Sequence, residues 1–210
     1  MRTLIFLNGE IPNRKIVEHY KKGRTIIIAA DGGCKKLKSI NIIPNVIIGD
    51  LDSAGDSALR YFRSKGSKII KIDEQETTDF EKSLIYCKAN NLLETYVFGF
   101  SGLRIDHTVN NLSILKRHTE YMNIKMIDNE FEVFIINKST SINYRKNELF
   151  SFVGMPKAFN IHTKGLKYKL KGENLKFGIR EGTLNLSTSK VITLNFDKGD
   201  LLIFKKHFLN

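Results

Sequence analysis

Asp50 and Asp52 close the stretch Val46-Ile-Ile-Gly-Asp50-Leu-Asp52-Ser53, an apolar run that ends in two carboxylates. In an extended segment, residues i and i+2 point to the same side, roughly 6–7 Å apart. Two carboxylates that close repel by about 2–3 kcal/mol at an effective dielectric near 20. A cation between them, or a proton on one of them, relieves the repulsion. Mg²⁺ suits such a pair, because it takes one or two protein carboxylates and completes its shell with water and phosphate oxygens. A plain turn is the competing reading, since Asp and Ser are common turn formers after a strand.

The layout recurs along the chain. Asp31 follows Thr25-Ile-Ile-Ile-Ala-Ala30, Asp79 lies a short loop beyond Lys68–Ile72, and Asp106 lies beyond Thr95-Tyr-Val-Phe-Gly99. Each of these acids has a structural explanation as well. Asp31-Gly-Gly33 reads as a turn. Thr78 and Glu81 read as a T-x-x-E capping box, with Asp79 in the first helical turn. Asp106 reads as an N-cap. The loop Gln75-Glu76-Thr77-Thr78-Asp79 nevertheless gathers more polar groups than a cap requires. In Gly99-Phe-Ser-Gly102-Leu-Arg104-Ile-Asp106-His107 the glycines permit close backbone approach, and Arg104 can neutralise phosphate with its planar fork. There is no Walker A sequence and no G-x-G-x-x-G after a strand, so phosphates would be held by metal, Arg and loop amides.

The elements that must position these loops follow from hydrophobic patterning. Strand-like runs at Thr3–Leu7, Thr25–Ala30, Pro44–Ile48, Lys68–Ile72, Glu94–Gly99 and Ile124–Ile127 alternate with helical segments. Those helices are predicted at Asn13–Lys22, Cys34–Ile40, Ser57–Lys65, Thr78–Asn90 and His107–His118. Short apolar strands separated by helices predict a mostly parallel sheet covered on both faces. Ligands of such sheets bind beyond the carboxyl ends of the strands, where all the acidic loops fall. After about residue 130 the helical period disappears. Short strands are predicted at Phe131–Ile136, Ser141–Tyr144, Glu148–Val153, Ala158–Thr163, Lys167–Lys171, Val191–Phe196 and Leu201–Phe204. Gly154-Met-Pro156, Gly172-Glu-Asn174 and Asp197-Lys-Gly199 punctuate them. This is the pattern of an all-β sandwich. The expectation is therefore an α/β domain over residues 1–130 and a β-sandwich domain over residues 131–210.

Composition narrows the class. The 210 residues are 41% hydrophobic and 27% charged, as in ordinary globular proteins, and no apolar run reaches the length of a bilayer span. Two isolated cysteines with no C-x-x-C fit a reducing, cytoplasmic setting. The net charge of +12 suits polyanions, but it is divided. Residues 1–50 carry nine Lys/Arg against four Asp/Glu, and residues 151–210 eleven against four, whereas residues 51–100 carry seven against eight. No single basic block stands out, so neither nucleic acid nor membrane is expected as the partner.

Taken jointly, Ala30-Asp31-Gly-Gly33, Ile48-Gly-Asp-Leu-Asp-Ser53, Thr78-Asp79-Phe-Glu81 and Arg104-Ile-Asp-His107-Thr-Val-Asn-Asn-Leu112 resemble the thiamine pyrophosphokinase family. Gly165-Leu-Lys-Tyr168 and Gly182-Thr-Leu-Asn185 resemble its substrate-binding β-domain, with Leu184 where the family has a serine. The resemblance implies transfer of pyrophosphate from ATP to the hydroxyl of thiamine, giving thiamine diphosphate and AMP. It also implies a homodimer with sites between subunits. Under it, Asp50, Asp52 and Asp79 would hold Mg²⁺, and Arg104 would offset phosphoryl charge. Asp106 or Asp31 would orient or deprotonate the acceptor hydroxyl. Gln75, Ser101, Arg104, His107 and Asn110 would surround the nucleotide, Tyr168 would stack on thiamine, and Asn185 would contact it. The alternatives are another Mg²⁺-dependent transferase with a different acceptor alcohol, or a basic nucleic-acid-binding module.

Overall fold

The structure, a computed structural model, describes residues 1–209. Two compact units divide the chain, Met1–Asn129 and Glu130–Phe208. Among the described residues no helix is long and apolar enough to cross a membrane. Both cysteines, Cys34 and Cys87, are buried free thiols.

The first unit alternates strand and helix. Its strands are β1 (Arg2–Phe6), β2 (Thr25–Ala30), β3 (Val46–Gly49), β4 (Lys68–Lys71), β5 (Glu94–Phe98) and β6 (Asn123–Ile127). Its helices are α1 (Arg14–Tyr20), α2 (Gly33–Ser39), α3 (Asp56–Ser64), α4 (Asp79–Ala89) and α5 (Ile105–His118). The strands run parallel in the order β4-β3-β2-β1-β5-β6. Alternation along each strand explains why both faces are apolar. Leu4 and Phe6, with Ile27, Ala29 and Ile47, share one core with Ile16 and Val17 of α1, Leu37 of α2 and Phe62 of α3. Ile5, Ile28 and Ile48 point the other way and are also fully buried, while α4 packs against β2 and β3. Phe6 stacks on Phe98 of the neighbouring strand at 4.9 Å between ring centroids. Burying each such ring is worth about 2–3 kcal/mol.

Because the strands are parallel, all their carboxyl ends meet at one edge. The strand order reverses between β1 and β5, and a crevice opens at such a reversal. Past the two strand ends the loops stay paired: Leu7 N–H donates to Phe98 O at 2.8 Å, Gly9 N–H to Gly99 O at 2.9 Å, and Glu10 N–H to Ser101 O at 2.8 Å. A Cβ on Gly9 would stand 2.3 Å from the carbonyl oxygens of Gly99 and Ser101, so only glycine permits this seam.

The second unit is all-β: β7 (Phe131–Ile136), β8 (Thr140–Asn143), β9 (Leu149–Lys164), β10 (Lys171–Lys176), β11 (Gly182–Leu186), β12 (Val191–Asn195) and β13 (Lys198–Lys206). The strands expected at Glu148–Val153 and Ala158–Thr163 are one strand, β9. It pairs with β13 and β12 on one edge and with β11 and β10 on the other. Gly154 does not break it. A Cβ there would meet Leu175 O at 2.5 Å, so the glycine lets β10 lie close. Lys167–Lys171, expected as a strand, is chiefly the turn before β10. Thr163 N–H donates to Leu170 O at 3.0 Å, and Leu170 N–H to Thr163 Oγ1 at 2.9 Å. Gly172-Glu-Asn174, expected as punctuation, lies inside β10. The inward side chains of β9, among them Phe150, Phe152 and Ile161, build one core with Leu175, Ile192, Leu194, Leu201 and Ile203.

Candidate active site

Asp31, at the end of β2, is held from two sides. Its carboxylate accepts from Ser53 N–H at 3.1 Å and Ala54 N–H at 2.9 Å, which ties the β2 loop to the β3 loop. Asp50 follows β3, and Asp79 opens α4 after Thr78 caps it by accepting from Glu81 N–H at 3.3 Å. Carboxylate oxygens of Asp31, Asp50 and Asp79 all lie within 4.8 Å of one another. Gly49 makes the convergence possible. A Cβ at that position would come within 2.8 Å of both Asp31 Cβ and Asp79 Oδ1.

Asp52 is not among the carboxylates that lie within 4.8 Å of one another, where Asp31 joins Asp50 and Asp79. The i, i+2 argument requires extended backbone, and β3 ends at Gly49. Leu51 adopts φ 71° and packs against the core, while the side chains of Asp50 and Asp52 stay close enough to interact. Asp52 N–H also donates to Asp50 Oδ1 at 3.3 Å. The charge of Asp52 still reaches Asp31.

The electrostatics follow from this crowding. Burial pushes the Asp31 carboxyl above its ordinary value, helped by Asp50 and Asp52 and opposed by the Ala54 and Ser53 donors. Burial also raises Asp79, with the Asp31 charge adding to it. Asp79 Oδ1 is buried and accepts no hydrogen bond. At Asp50 burial pulls upward, but the Asp52 amide, Gln75 and Lys82 outweigh it and hold the carboxyl low. Clustered carboxylates with a buried oxygen that accepts no hydrogen bond match the all-oxygen donor set of a hard divalent cation.

The cluster lies in a cleft of about 530 Å³. Gln75, Ser101, Arg104, His107 and Asn110, all expected around a nucleotide, line it. Gln75 Nε2 reaches Asp50 Oδ2 at 3.4 Å. Arg104 forms a two-pronged pair with Asp106, with Nε 3.1 Å from Oδ1. That bond and the positive charge hold the Asp106 carboxyl down at about 2. Asp106 does not line the cleft, and it is not the N-cap of α5. Arg104 holds that position and leaves Asp106 in the first turn. The capping box at α4 is half made: Glu81 turns away to Arg117 and His118. Sequence reasoning missed Asn8, Gly9, Lys82 and Asn111. The first two line the cleft from the β1 side of the seam, and Asn111 Nδ2 donates to Phe100 O at 2.8 Å to fix the β5 loop.

In the second unit Tyr168 is exposed, with Lys167 Nζ 5.3 Å from its ring centroid. Asn185 does not offer its amide to a ligand. It is buried and clamps the backbone of residue 168, accepting from Tyr168 N–H at 3.0 Å and donating to Tyr168 O at 2.7 Å. These bonds fix the backbone that carries Tyr168. Leu184 is 74% exposed at φ 57° and donates its N–H to Ser151 Oγ at 3.0 Å.

An acidic cleft at the carboxyl edge of a parallel sheet, bordered by Arg and glycine loops, defines an α/β protein whose clustered carboxylates suit a divalent cation. The family described as "Thiamin pyrophosphokinase, catalytic domain" matches residues 17–127, more than half the chain. Thiamine pyrophosphokinase 2 of Arabidopsis thaliana is 30% identical over 174 residues, covering 76% of this chain and 64% of that protein. The chain thus spans a little under two thirds of the length of that plant relative. Thiamin pyrophosphokinase 1 of Caenorhabditis elegans is 27% identical over 215 residues, covering 89% and 82%. The crystal structure of thiamine pyrophosphokinase from Bacillus subtilis shares the fold, with a TM-score of 0.86 at 21% identity and 100% of both chains covered. The chain belongs to the thiamine pyrophosphokinase family.

Proposed function

We propose that this protein transfers pyrophosphate from ATP to the hydroxyl of thiamine. The observation that carries the reading is the convergence of Asp31, Asp50 and Asp79 in the cleft of a chain of this family. In the reaction the hydroxyl oxygen bonds to the β-phosphorus of ATP. The bond from that phosphorus to the α,β-bridging oxygen breaks, and AMP departs with the oxygen. Such transfers depend chiefly on positioning and on neutralising charge. The three aspartates would hold Mg²⁺, which when bound supplies positive charge to the triphosphate. Arg104, His107 and Asn110 border the space for the nucleotide, and loop amides beside Ser101 add donors. The hydroxyl proton passes to Asp31 or to water. Asp106, held at about 2 by Arg104, is the poorer acceptor.

The exposed ring of Tyr168 in the second unit supports a role in stacking on thiamine, a cationic aromatic molecule. Exposed Phe177, Ile179 and Leu184 in the same unit support self-association as a homodimer. The free, buried thiols agree with work in a reducing cytoplasm.

The test is chromatography of products from the purified protein with ATP, thiamine and Mg²⁺. The expected result is one AMP for each thiamine diphosphate, and none in excess EDTA. Formation of ADP with thiamine monophosphate, or transfer only to another alcohol, would replace this reading.

A further inference from the structure

Lys82 is the least expected residue of the cleft. It lines the cleft yet is only 3% exposed, an unusual state for lysine. Its Nζ lies 3.6 Å from Asp79 Oδ1, the same oxygen that accepts no hydrogen bond. Its charge acts on both Asp50 and Asp79. The other strong cation of the cleft, Arg104, is committed to Asp106 on the exposed side. Lys82 is therefore the one fixed positive charge set against the carboxylate cluster among the described cleft residues.

We propose that Lys82 is the resident counter-cation of the Asp31–Asp50–Asp79 cluster, a positioning residue that sets its charge for a divalent ion. Three carboxylates and one ammonium leave two negative charges, the complement of one divalent cation. With no ion present, the ammonium offsets repulsion that would otherwise spread the three loops. With an ion present, it limits how strongly the site holds metal, so that the ion can be exchanged. The i, i+3 spacing on α4 places Lys82 one turn beyond Asp79, with its aliphatic stem in the core. The inference rests on reading the cluster as a metal site.

Its test measures Mn²⁺ binding to the full chain by loss of the free-ion electron spin resonance signal, without ATP or thiamine. Removing a positive charge beside a cation site strengthens cation binding. Lys82→Met and Lys82→Gln are therefore expected to bind Mn²⁺ about tenfold more tightly than the unmodified protein, and Lys82→Arg within about twofold of it. Both neutral variants should melt lower without metal, and the gap should close at saturating Mn²⁺. A side chain that merely fills space would lower the melting temperature without tightening binding or being rescued by Mn²⁺, and that result overturns the proposal. If a neutral variant is unfolded without metal, refolding on addition of Mn²⁺ supports the proposal and failure to refold overturns it. An unmodified protein that binds no Mn²⁺ at millimolar concentration overturns both this inference and the metal reading. Normal Mn²⁺ behaviour with no diphosphotransfer overturns the function alone.

Discussion

Asp31 and Asp79 each carry a raised carboxyl pKa, caused first by burial. For a carboxyl raised in the folded state, the native protein binds protons more readily than the unfolded chain. Their contribution to the stability of the metal-free protein therefore falls as pH rises from the ordinary 3.8 through the raised values. Metal needs the ionised forms, so protons compete with it at a higher pH than for ordinary aspartates. The rise in melting temperature on adding Mg²⁺ should be full at neutral pH. It should shrink on acidification before pH 3.8 is reached, which differential scanning fluorimetry across pH checks. The recurrence of acids after strands was legible in the sequence, and three of them, Asp31, Asp50 and Asp79, converge. The positive φ at Leu51, between Asp50 and Asp52, cannot be read from alternation. Lys82 was missed because an Asp–Lys pair three apart on a helix looks like ordinary surface charge.

Between elements, the α4–α5 contact rests on Glu81. Its carboxylate is paired with Arg117 Nη2 at 2.7 Å and His118 Nε2 at 3.0 Å, and its side chain is only 14% exposed. Burial alone would raise the Glu81 carboxyl, but the His118 and Arg117 hydrogen bonds outweigh it and hold the group below 4.5. A depressed carboxyl contributes stability that is present above 4.5 and lost as pH falls through the lowered folded value. Glu81→Gln should cost about 1–3 kcal/mol in urea unfolding at pH 7. The difference from the unmodified protein should narrow in acid. The helices themselves were legible because their apolar spacing is strong, and the first unit's strands because they are continuous apolar runs. The ladder around β9 was harder to read. Gly154 and Gly172 look like breaks in sequence, but each sits within a strand of this unit, and at Gly154 the glycine admits a neighbouring backbone.

At the scale of the molecule, exposed Phe177 at 66% and Ile179 at 72% flank Gly178 between β10 and β11, two large apolar side chains in open solvent. Such side chains fit a surface covered by another copy. Light scattering at micromolar concentration should give about twice the 24.1 kDa of one chain. Ile179→Lys together with Phe177→Glu should reduce that mass toward 24.1 kDa while circular dichroism stays unchanged. A single-chain mass for the unmodified protein at full activity would remove self-association from the proposed function. The division into two kinds of unit was visible where the helical period stops near residue 130.

The place of β13 has a consequence for synthesis. It lies between β7 and β9, pairing Leu201–Lys206 with Ile136–Phe131 and Leu201–Lys205 with Gly154–Phe150. All six parallel strands of the first unit have left the ribosome once residue 127 has emerged. The second unit lacks the strand between β7 and β9 until residues near 200 appear, roughly 4–15 s later at ordinary rates of translation. Once β9 has emerged, and until β13 follows, β7 and β9 each present an unpaired edge, open to wrong partners. That is the stage at which the nascent chain most needs a chaperone.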